Sequence, residues 1–132
     1  MNRHLGKAAE LALIRYRSQQ SALATIKKEL EAAPIRSQDR IQGGRAMPEQ
    51  ERYVARLETN KEAQRIMKWL DTMNDALARL RPDFADLAWA IIEDEEEIYC
   101  ADKGYGGASY RRMRAGMLSA LARNLFGVMA ER

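Results

Sequence analysis

The sequence predicts an all-α protein, in which a long N-terminal helical hairpin is followed by a C-terminal helix-turn-helix unit. Three observations predict it. Ala, Leu, Arg, Glu and Met dominate the chain, and these residues are strong helix formers. Apolar residues recur three and four apart over long stretches, which is the period of one helix face. The three prolines, at positions 34, 48 and 82, fall where those periodic runs start or stop.

The first helix is expected over residues 3–32. Leu5, Ala9, Ala12, Tyr16, Gln19, Leu23, Ile26 and Leu30 form a heptad-like seam along it, and Pro34 ends it. Residues 33–48 contain two prolines and the Gly43-Gly44 pair, so they read as a linker. Pro48 followed by Glu49 and Glu51 opens a second helix, expected to run unbroken over 49–80. Ile66, Leu70, Met73, Leu77 and Leu80 supply its stripe, with Tyr53 and Leu57 ahead of it. Two such helices would pack as an antiparallel hairpin over residues 1–81.

A C-terminal unit is expected over residues 82–132. Pro82 with Asp83 suits a helix start. Phe84, Leu87, Ala88, Ile91 and Ile92 form the apolar face of that helix. Asp94, three residues before Glu97, has capping-box spacing. It predicts a short helix over about 95–103 with Ile98 and Ala101 inward. Gly104 to Gly107 is the turn, and a last helix is expected over about 108–130. Tyr110, Met113, Met117, Leu121, Leu125 and Val128 are its inward stripe.

Charge is divided unevenly. Residues 1–81 carry 16 basic and 10 acidic side chains. Residues 82–102 carry eight acidic and no basic ones, and residues 103–132 carry six basic and one acidic. The basic C-terminal block suits a polyanionic partner. The competing reading is internal: the acidic segment neutralises its basic neighbour.

Catalysis finds little support in the residues. His4 is the sole histidine and sits near the chain end, and Cys100 is the sole cysteine, which excludes an internal disulfide. The run Glu93-Asp94-Glu95-Glu96-Glu97 lacks the alternating ligands and central glycine of a calcium loop. Gly104-Tyr105-Gly106-Gly107 has no Lys-Ser or Lys-Thr after it, so turn chemistry explains it better than phosphate binding. No cofactor and no metal are expected, and the chain is not expected to be an enzyme. No apolar run is long enough to cross a membrane. The stretch from Met1 to Ile14 has no continuous apolar core of a signal peptide, so a cytoplasmic location is expected.

Residue type and spacing agree best in the last helix. Its inward stripe leaves Ala108, Arg111, Arg112 and Ala115 on the open face near the N-terminus. A recognition helix in the DNA major groove presents side chains from this place. A guanidinium fork matches guanine O6 and N7. Ser109 and Arg114 flank the face, and with Lys103 they suit phosphates.

The stretch Leu80-Arg-Pro through Ile91-Ile92, then Tyr105-Gly-Gly-Ala-Ser-Tyr-Arg-Arg-Met-Arg and Leu118, resembles the C-terminal domain of the ArpU/RinA-type phage transcriptional regulators. Those end in a helix-turn-helix similar to region 4 of bacterial sigma factors. Ser109, Tyr110, Arg112, Met113 and Arg114 fall on the opening pattern of that family's recognition helix, whereas Arg111 stands where the family usually has a second aromatic. The order of Arg15-Tyr16-Arg17, the Ile41-Gln-Gly-Gly linker and a charged second helix is similar more loosely. The resemblance implies a phage or prophage regulator of late or lytic genes that binds double-stranded DNA and contacts RNA polymerase. A homo-oligomer, a dimer first, is expected through the N-terminal arm. Two other readings stay open. One is a DNA-packaging adaptor similar to a small terminase subunit, with a ring-forming arm. The other is a helical module that binds only protein.

Overall fold

The computed structural model describes residues 3–36, 40, 44–45 and 47–127. Those residues form an all-α protein of six helices: α1 (Arg3–Ala32), α2 (Glu49–Thr59), α3 (Lys61–Ala78), α4 (Pro82–Ile92), α5 (Glu96–Lys103) and α6 (Gly107–Phe126). Val128 and part of the expected linker lie outside the described residues, while α6 ends at Phe126 with Gly127 at φ +80° as its C-cap, short of the expected limit near 130. No helix among the described residues is long and apolar enough to cross a membrane.

The chain divides into two compact units that share α1 and α3. One comprises residues 1–18 and 70–132, the other residues 19–69. This division differs from the expected boundary at Arg81-Pro82, because the start of α1 and the end of α3 belong with α4, α5 and α6.

The core of the larger unit draws one stripe from each long helix. Leu13, Met73, Leu87, Met117 and Leu121 are its largest fully buried side chains. The α3 stripe is buried as its spacing predicts, with Leu70, Met73, Leu77 and Leu80 inward. On α1, Ala9 and Tyr16 are buried as expected, and Leu13 joins them. Tyr16 donates its hydroxyl to Asn74 Oδ1, and its ring meets Trp89 edge-on at 5.4 Å between centroids. Helix α4 packs against both α5 and α6. A Cβ on Gly116 would lie 3.0 Å from Phe84 Cζ, so the missing side chain lets the α6 backbone approach the α4 ring.

In the smaller unit, Leu23, Ala63 and Ile66 are buried and α2 buries no residue completely. Arg56 of α2 caps the end of α1: its Nη1 donates to the carbonyls of Leu30 and Ala33, both at 2.9 Å, and its Nη2 to that of Pro34 at 2.7 Å. The Leu30 and Ala33 carbonyls are ones that the helix end leaves without a partner, and Pro34 lies just beyond it.

The expected single helix over 49–80 is two helices. Asn60 adopts an extended conformation, φ −81° and ψ 108°. Its Oδ1 accepts from the Ala63 amide at 2.9 Å, and its carbonyl accepts from the Gln64 amide at 3.0 Å. Asn60 is therefore the N-cap of α3. Periodicity runs through the break because both pieces keep an inward face, so only the capping residue marks it.

The junction between α4 and α5 also departs from expectation. Asp94 has φ +57° and is not the N-cap of α5, a place held by Glu95 without a side-chain cap bond. The Glu95 amide donates to the Ala90 carbonyl at 2.7 Å and the Asp94 amide to that of Ile91 at 3.1 Å. That pair of bonds is a Schellman motif, with Asp94 in the left-handed position usually held by glycine. The same motif ends α5. There Gly104 has φ +69°, its amide bonds Ala101 O at 3.3 Å, and the Tyr105 amide bonds Cys100 O at 3.2 Å. The face that α5 turns inward also differs from the expected one. Ile98 is 61% exposed and Ala101 is exposed, while Tyr99 and Cys100 are half-buried. The expected inward pair is thus replaced by its neighbours.

Candidate nucleic-acid interface

Gly104 to Gly106 join α5 to α6, and the chain re-enters a helix at Gly107. Gly106 is extended at φ −80° and ψ 168° and gives no side-chain cap. Its carbonyl accepts from the Tyr110 amide at 2.8 Å, closing the first turn. A Cβ at Gly106 or Gly107 would meet nothing within 4 Å, so this helix end opens on free space. Its first amides have no intrahelical acceptor and point outward, as at any helix N-terminus.

Gly107, Ala108, Ser109, Arg111, Arg112 and Ala115 are all exposed, while Tyr110, Met113 and Arg114 are half-buried. The i, i+3, i+4, i+7 relation explains the pattern, since Met117, Leu118, Leu121 and Ala122 bury the opposite side further along. Of the expected inward stripe, Met117 and Leu121 are fully buried, while Leu125 is half-buried. Arg111 Nε donates to the Gly107 carbonyl at 3.3 Å, which lays that side chain back along the helix start. Among the described residues Arg112 makes no ion pair. Lys103 is exposed at the end of α5, with Nζ 6.0 Å from the centroid of the Tyr99 ring. The Tyr110 hydroxyl is buried without a hydrogen-bond partner among the described residues.

Arg114 stands apart from the other expected contacts. Its Nη1 lies 2.6 Å from Glu10 Oε2 and its Nε 2.9 Å from Glu96 Oε2. The Arg114 side chain is 26% exposed. It ties α6 to α1 and α5 and is not turned toward a phosphate. Burial works against its charge, but the hydrogen bonds to Glu10 and Glu96 outweigh it and hold its pKa above the ordinary value. The Glu10 carboxyl is held below its ordinary value by hydrogen bonds from Lys7 and then Arg114. Internal neutralisation therefore takes Arg114 and leaves Arg111 and Arg112 exposed. Spacing alone could not find this pair, because Glu10 lies 104 residues away.

Comparisons with family models, with curated proteins and with solved structures give no match.

The chemistry elsewhere is sparse. Burial first, then the Glu96 and Glu97 carboxylates, push the Cys100 thiol up, the reverse of what an activated nucleophile needs. Burial also pushes the Tyr99 hydroxyl up to about 12, and that hydroxyl donates to the Asp83 carbonyl at 3.3 Å. No group of three His, Cys, Asp or Glu among the described residues could hold a metal ion. Among the described residues the surface offers a helix N-terminus with cations beside it, an arrangement whose electrostatics favour an anion.

Proposed function

We propose that the chain is a sequence-specific DNA-binding transcriptional regulator, of the phage or prophage late-gene type that its C-terminal motif resembles. In this reading α5 and α6 are a helix-turn-helix and α6 enters the major groove. The observation that carries it is the pairing of Arg111 and Arg112 on an exposed, small-residue face at the start of α6. Ala108 and Ala115 leave room for close approach, and Ser109, Lys103 and the open amides after Gly106 supply phosphate contacts. The double-stranded DNA would be the main partner, with RNA polymerase a second one.

Mobility-shift titrations of a selected duplex at fixed salt test it. Arg112→Ala should cost about 1–3 kcal/mol on the selected sequence and much less on a scrambled one, as removal of a base-reading side chain does. Lys103→Ala should weaken both duplexes about equally. Negligible effects for both variants would remove α6 from the interface.

A further inference from the structure

Two surface features of the larger unit take no part in that interface, and their chemistries match. The first is a groove of about 330 Å³ between α4 and α5. Trp89, Ile98 and Tyr99 supply its apolar surface. Trp89 is 37% exposed, and Ile98 is the most exposed large apolar side chain among the described residues. Four carboxylates, Asp86, Glu93, Glu95 and Asp102, surround them, and no basic side chain lines the groove. None of the four makes an ion pair among the described residues.

The second feature is the outer face of α1. Leu11 is 47% exposed and Ile14 59% exposed. At three residues apart they stand next to each other on one side of the helix. Lys7, Arg15 and Arg17 are exposed on the same stretch of α1, Lys7 at 2.8 Å from Glu10 and Arg15 with an interaction inside the chain, and the buried Ala9, Leu13 and Tyr16 fix the opposite face. Single exposed aliphatic residues are ordinary. Here an apolar pair with a basic border and an apolar groove with an acidic border occur on one chain, and neither is filled.

We propose that the Leu11–Ile14 face of one copy docks into the α4–α5 groove of a second copy. Leu11 and Ile14 cover Trp89 and Ile98, while the α1 cations meet the four groove carboxylates. Each copy carries both halves, and in the two-fold arrangement proposed each face meets the other copy's groove, so the contact closes as a dimer. Charge complementarity sets the register and speeds encounter, and the apolar centre supplies the burial. The proposal does not depend on DNA binding, and its test contains no DNA.

The experiment is sedimentation equilibrium of the full chain over a concentration series, at low and at high salt. A dimer is expected, with dissociation favoured by salt. Two variants divide the interface: Leu11→Ser with Ile14→Ser removes the α1 face, and Glu93→Lys with Asp102→Lys reverses the groove. All four positions are exposed, so helical circular dichroism should be unchanged; Glu93→Gln with Asp102→Asn is the milder groove variant should the reversal disturb it. Each double variant alone should dissociate at least about ten-fold more readily. Mixed together they should form a one-to-one heterodimer, because one intact face and one intact groove remain. A wild-type monomer at every concentration overturns the proposal. So does association indifferent to both variants, or a mixture that associates no better than its components.

Discussion

Arg114 shows how far a single side chain can be read from local spacing. With Arg111 and Arg112 it forms one basic run, and periodicity puts it at the edge of the open face. The folded chain instead pairs it with Glu10 and Glu96. Removing the guanidinium leaves two carboxylates with less compensation. We expect Arg114→Ala to cost about 1–2 kcal/mol of stability by denaturant titration, reduced from a fully buried pair because all three groups keep some solvent. The Glu10 carboxyl has a folded pKa below its ordinary 4.5. Its contribution is therefore complete above that value and is lost as pH falls through the folded one. The Arg114 guanidinium, with its pKa raised, stays charged throughout that window. Wild-type stability should thus fall more steeply on the acid side than that of Arg114→Ala. Parallel curves would show that the pair contributes nothing.

At the scale of elements, the helices follow from periodicity and their junctions follow from individual caps. The α1 limits and the start of α4 agree with Pro34 and Pro82 as sequence punctuation. The break at Asn60 and the left-handed Asp94 do not announce themselves, since both residues also occur inside regular segments. Each can be checked. Asn60→Ala removes the acceptor for the Ala63 amide and should cost about 1 kcal/mol, read as a lower melting temperature. Asp94→Gly relieves a left-handed residue, which outweighs the added freedom of the unfolded chain, and should stabilise by roughly 0.5 kcal/mol. Gly104→Ala puts a Cβ on the second left-handed position and should destabilise by about 1 kcal/mol. If the Asp94 and Gly104 changes moved stability in the same direction, the matched Schellman ends would not explain these junctions.

For the whole molecule, the net charge of +3 conceals a separation of signs that the fold preserves. The acidic segment gives one carboxylate, that of Glu96, to Arg114 and keeps four others around the α4–α5 groove. The start of α6 keeps two exposed arginines. A duplex bound there would release counterions, so log affinity should fall linearly with log salt. Replacing Lys103, the phosphate-contacting cation, by Ala should flatten that slope by about one. An unchanged slope would place the anion-binding surface elsewhere.

The sequence by itself determined the all-α class, most helix limits and the inward stripe of α3, because these depend on short-range periodicity and on proline. It also located the exposed face at the start of α6, since a buried stripe leaves its opposite side to solvent. Only the tertiary structure decided that Arg114 is held by Glu10 and Glu96, and that the first turns of α1 join the C-terminal helices. It alone decided that α5 turns Ile98 outward beside Trp89. Each of these depends on how separate helices pack against one another, about which local spacing carries no information.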